Sequence, residues 1–168
     1  MPKQVRNDRV KRERFEEWDY EVDRVRTRVA YDALRNGSAA DCGCAYCKDW
    51  IAYRESVIPI HVHDWFRGLG IDIAKEIEVS EYESEPPTNL FMGDYLFVGK
   101  VLSGPNPYLP VVGTAGVHVA RIEIFPGFSL GLSSNTQFGP PIPESFKGLP
   151  LANITFEVRT PAINTSSG

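Results

Sequence analysis

Three cysteines fall within six residues, in Asp41-Cys42-Gly43-Cys44-Ala45-Tyr46-Cys47, and the 168-residue chain has no others. The C-x-C-x-x-C spacing suits thiolates gathered on a common centre. Zinc takes a tetrahedron of soft or borderline donors, and three thiolates with one imidazole are a standard structural set. Cys42 and Cys44 flank a glycine, and Cys47 falls one turn into an expected helix, whose positive N-terminal end favours the thiolate form. His61-Val62-His63 follows, and one of its imidazoles is the expected fourth ligand. At i, i+2 on a helix the two rings diverge, so only one of them would serve. The candidate metal set is therefore Cys42, Cys44, Cys47, His61 and His63, and the cofactor it implies is zinc.

Two other readings stand beside this one. Cys44-Ala45-Tyr46-Cys47 is a C-x-x-C at a helix start, the arrangement that lowers a thiol pKa and permits a reversible disulfide. A thioredoxin-like setting would place a buried strand before it, whereas Asn36–Cys42 reads as a loop. The third reading is packing: small buried thiols are common core fillers, and Cys47 lies beside Ile51 on an apolar helix face. An odd cysteine count without an apolar export signal argues against a disulfide framework.

Other titratable groups suggest less. Glu76, Glu78, Glu81, Glu83 and Glu85 read as a solvated strand edge that blocks aggregation rather than as an acid–base pair. Gly93-Asp94 and Gly127 read as turn residues, and His118 has no acid or nucleophile near it in sequence. No nucleophile elbow, phosphate-binding loop or dinucleotide fingerprint occurs.

The elements that would position the cysteines follow from periodicity. Trp18, Tyr20 and Val22 alternate with acids, and Val25, Thr27, Val29 and Tyr31 alternate largely with arginines, so both stretches read as strand. A helix is expected from about Cys44 to Val57, ending before Pro59, with Tyr46, Trp50, Tyr53 and Val57 on one face. A second, shorter helix is expected over Ile60–Gly68. Beyond it come strands at Glu76–Val79, at Leu90–Leu102 with apolar residues on both faces, and at Val117–Phe125. Pro126-Gly127 turns the chain into Phe128–Leu132, and Leu151–Val158 forms the last strand. The fold class is α+β. Six to eight mainly antiparallel strands form a sandwich or open barrel, with two helices from the N-terminal half packed on one side.

Charge is uneven. Residues 1–14 carry six basic and two acidic side chains, and the remainder twelve basic and twenty acidic, for a net −4. Residues 1–14 read as a flexible basic leader, 15–160 as one domain and 161–168 as a flexible tail. The leader is the one place for nucleic acid to bind, and the acidic body opposes it. No stretch reaches the roughly 18 apolar residues of a membrane helix, and the charged N-terminus lacks the apolar core of a signal peptide, so a cytoplasmic protein is expected. The functional expectation is a non-enzymatic interaction module for an unknown protein partner, stabilised by zinc at the cysteines. The alternative is a thiol-redox or metal-dependent enzyme using the same cluster.

Overall fold

The computed structural model describes residues 9–82 and 88–161. Strands β1 (Val10–Phe15) and β2 (Trp18–Asp23) form a hairpin that pairs Phe15 with Trp18 across a tight turn. Trp18, Tyr20 and Val22 are buried, as their alternation predicts, while Lys11, Arg12 and Arg14 point to solvent from the outer strand. Five residues of the expected basic leader are thus ordered strand, and residues 1–8 lie outside the described residues.

The stretch expected as a second strand is helix α1 (Arg24–Asp32). Asp23 caps it, its carboxylate accepting from the Arg26 N–H at 3.0 Å, an N-cap worth about 1 kcal/mol. Thr27, Ala30 and Tyr31 recur at three and four and are the buried residues. That narrow apolar stripe leaves Arg24, Arg26, Arg28, Val25 and Val29 all exposed. The arginines occupy one broad wet face.

Three further helices follow, α2 (Ser38–Cys42), α3 (Ala45–Val57) and α4 (Ile60–Leu69). The second and third of these are the two helices expected, and four form in all among the described residues. Gly70, left-handed at φ 85, ends α4, and a Cβ there would lie 2.5 Å from the Arg24 carbonyl.

The remaining strands are β3 (Glu78–Tyr82), β4 (Thr88–Ser103), β5 (Tyr108–Pro110), β6 (Val117–Val119), β7 (Ile122–Phe125), β8 (Phe128–Ser133) and β9 (Leu151–Pro161). Among the described residues, seven strands form one antiparallel sheet in the order β1-β2-β4-β9-β8-β7, with β3 also on β4, and β5–β6 form a separate hairpin. The α+β, mainly antiparallel expectation holds. The expected Val117–Phe125 strand is broken at Ala120-Arg121, where the Ala120 N–H turns to the Pro107 carbonyl at 2.7 Å.

One face of the sheet carries the helices, with Trp50 of α3 on Phe91 and Phe156 and Phe66 of α4 on Tyr95. The sheet curls around α4. Phe15 on outer strand β1 and Phe125 on outer strand β7 each bring their rings to 6.4 Å from His61. An opened barrel describes this better than a sandwich, because the second sheet consists of one short hairpin.

β4 organises the whole. One edge pairs with β9 over eleven residue pairs, from Thr88↔Pro161 to Val98↔Leu151. The other edge is divided, β3 taking Leu90–Asp94 and β2 taking Gly99–Ser103. In the gap between them α1 substitutes for a strand. The Tyr31 hydroxyl donates to the Leu96 carbonyl at 2.8 Å and accepts from the Leu96 N–H at 3.0 Å, and Thr27 Oγ1 accepts from the Val98 N–H at 2.9 Å. Thr27→Val keeps the side-chain shape but leaves the Val98 N–H buried without a partner. It should cost about 2 kcal/mol, read as a lower denaturant midpoint with an unchanged slope.

Candidate metal centre

α2 ends at Cys42, Gly43 takes the left-handed conformation at φ 67, and Cys44 is the N-cap of α3. Only a residue free of Cβ strain reverses the chain so sharply between two helices. Cys44 Sγ accepts from the Cys47 N–H at 3.5 Å, using the sulfur as a helix cap. The three Sγ atoms all lie within 4.8 Å of one another. Sulfurs sharing a tetrahedral zinc at about 2.3 Å sit roughly 3.8 Å apart, so side-chain rotations of about 1 Å close the cluster. Cys42 and Cys44 are exposed, Cys47 is half-buried, and all three are free thiols.

The thiols differ in proton affinity. Hydrogen bonds from the Cys47 backbone and from the neighbouring thiols hold Cys44 below the ordinary thiol range. Burial pushes the Cys47 thiol up to about 12, and the adjacent sulfurs add to it. A cation at the centre would draw all three into the thiolate form.

Neither histidine joins the sulfurs. His63 Nε2 donates to the Glu55 carbonyl at 2.8 Å, near the opposite end of α3. Cys47 and Glu55 are eight residues apart on that helix, which is about 12 Å of rise. His61 lies on the exposed side of α4 between Phe15 and Phe125. Pro59 redirects the chain, but at the wrong end of α3 for an imidazole to return to the loop. Among the described residues the metal-competent group is Cys42, Cys44 and Cys47.

The residue that positions this loop is Glu76, which sequence reasoning placed on a solvated edge. It is 1% exposed. Its Oε1 accepts from the Ala39 N–H of α2 at 2.9 Å, and its Oε2 pairs with Arg54 Nη1 of α3 at 3.2 Å. Its backbone carbonyl accepts from the Ser38 N–H at 3.0 Å. One carboxylate thus joins the two helices whose junction carries the thiols, lying at the N-terminal end of α2 where a negative charge is favoured. Gly37 makes room for it, since a Cβ there would come 2.7 Å from Glu76 Oε1. Glu78 and Glu81 are on β3, and Glu83 and Glu85 lie outside the described residues. Glu76 alternates in phase with Glu78, so no local signal in the sequence set it apart.

The crevice that reaches Cys47, lined by Tyr46, Trp50, Glu81 and Phe91 among others, has a volume of about 10 Å³, about what one water needs. The sulfurs open outward instead. No described helix is long and apolar enough to cross a membrane. Comparison with protein families, with curated proteins and with solved structures finds no significant match.

Proposed function

We propose that the chain is an interaction module in which Cys42, Cys44 and Cys47 hold one zinc ion at the surface, its fourth coordination position filled from outside. The observation that carries this reading is the convergence of three exposed or half-exposed sulfurs within 4.8 Å at one helix start. Zinc satisfied by three protein ligands keeps a position open. The crevice behind Cys47 is too small for a substrate, so that position faces whatever docks on the α2–α3 junction rather than a reaction chamber.

Protein purified without chelator should carry about one zinc per chain, and the Cys42→Ser, Cys44→Ser, Cys47→Ser triple variant none. Stripping the metal should lower the melting temperature of the parent and leave the triple variant unchanged. A content under about 0.2 equivalents, with equal melting in both proteins, would leave the reading without support. Because each sulfur must shed its proton, zinc affinity should rise with pH, Cys47 giving up the most tightly held proton. A competition titration with a chromogenic chelator across neutral pH reads that slope.

An oxidoreductase reading draws on the same proximity, Cys44 and Cys47 being the C-x-x-C pair. It requires that mild oxidation join those two sulfurs reversibly in metal-free protein. Mass mapping that finds only intermolecular or irreversible oxidation products would remove it.

A further inference from the structure

The helix-free face of the sheet holds a second constellation, separate from the thiols. A cavity of about 370 Å³ opens between β3, β4, β9 and the Val119–Arg121 segment. Glu78 and Asp94 are directly opposite each other on β3 and β4, and both line it. Like charges in that position repel. The one cation that the described residues place in the wall, Arg121, is already engaged. Its Nε and Nη2 donate to Thr155 Oγ1 at 3.1 and 2.9 Å, and its Nη1 lies 3.5 Å from Glu157 Oε2.

Behind Asp94 the polar chain continues inward. Asn153, 1% exposed, donates through Nδ2 to Asp94 Oδ1 at 3.0 Å and to the Tyr108 hydroxyl. Its Oδ1 is buried and has no donor among the described residues. A buried acceptor left without a donor is uncommon and costly. Met92 and the half-exposed Tyr82 supply apolar and aromatic surface beside these groups.

We infer that this cavity binds a small organic cation, a primary amine with a short apolar body, whose ammonium sits between Asp94 and Glu78. Among the described residues neither Glu78 nor Asp94 is in an ion pair, the nearby Arg121 being paired with Glu157, and the surrounding charge, Glu78, Asp94 and Glu157 against Arg121, is negative overall. A bare metal ion would leave most of 370 Å³ unfilled, whereas an alkyl chain packs on Met92 and the Tyr82 ring faces a cation favourably. The site is independent of the zinc reading, because these side chains are on the sheet face away from α3.

Burial pushes the Asp94 carboxyl up to about 6, with Glu78 adding to it and Asn153 and Arg121 pulling it down. The ionisable groups around it are Glu78 from β3, Tyr108 from β5, Arg121 and, from β9, Glu157. Of these, Tyr108 is held protonated, burial pushing it up to about 12. Cation binding therefore strengthens as pH rises through 6.

The test is a titration of the full chain with n-butylamine at about pH 8, followed by the amide proton–nitrogen signals of the Asn153 side chain and of Gly93 and Asp94. Saturable shifts are expected with butylamine and none with n-butanol or butyrate. Affinity should fall about tenfold at about pH 5, where roughly a tenth of Asp94 is ionised, and at least about tenfold in Asp94→Asn and in Glu78→Gln. Serine at all three cysteines should leave it unchanged. The inference is overturned if butylamine gives no saturable shift, if butanol gives the same shifts, or if binding survives in both carboxylate variants. Calcium chloride shifting these amides where butylamine does not would also overturn it, replacing the amine with a metal ion.

Discussion

Glu76→Ala is expected to cost about 3–5 kcal/mol of folding free energy, the usual result of leaving half of a buried ion pair alone. The Ala39 N–H loses its acceptor and the Arg54 guanidinium, with only 12% of its side chain exposed, loses its counter-charge. For a chain of this size the melting temperature should drop by roughly 6–20 °C. Glu76→Gln retains an acceptor for Ala39 and should fall between the two, which separates the helix cap from the ion pair. The same change reaches the thiols. With α2 no longer tied to α3, the loop through Gly43 loses its fixed ends, and zinc affinity should fall about 10–100-fold although no sulfur is altered. Unchanged affinity in a variant that melts lower would mean that the loop holds its own shape.

Asp94 should impose a pH dependence of opposite sign to that of an ordinary salt-bridged carboxylate. Its ordinary value is 3.8 and the fold raises it to about 6, so the folded chain prefers the protonated acid. The stability gained from that preference is complete below about pH 4 and is lost as pH climbs to 6, a change of about 3 kcal/mol. Above that window an ionised carboxylate sits mostly buried beside Glu78. Asp94→Asn keeps an acceptor for Asn153 and cannot ionise. The difference in unfolding free energy between parent and variant, measured by denaturant at a series of pH values, should therefore open by about 3 kcal/mol between pH 4 and 7. A flat difference would mean that the carboxyl titrates as if exposed.

Much of this architecture is legible in the residues. The long β4 was marked by apolar side chains on both faces, the β7–β8 hairpin by Pro126-Gly127, and α3 and α4 by helical spacing cut before Pro59 and near Gly68. α1 was misread because Val25, Thr27, Val29 and Tyr31 alternate at period two while the buried stripe, Thr27, Ala30 and Tyr31, recurs at three and four, and the cap at Asp23 carries the decision. Asp94 was taken for a turn residue beside Gly93. In fact Gly93 is mid-strand, where a Cβ would meet the Phe156 ring at 2.6 Å, and a lone acid within Phe91–Val98 was the mark of a buried carboxyl. The three cysteines were found by spacing alone. The histidines were not excluded that way, because sequence order does not say which end of a helix a returning chain will touch. Glu76 depends on two long-range partners, and no local pattern encodes those.

The hydroxyls that α1 lends to β4 also bear on how the protein fails. On that edge no strand among the described residues pairs with the ladder groups of Leu96 and Val98, which are guarded by a helix of nine residues. Lifting that helix would uncover a short bare edge between two strands already in line, a gap of the right width for a foreign strand to zip into. Chains that lose Thr27 or Tyr31 should accordingly self-associate under mild destabilisation before the rest of the sheet comes apart.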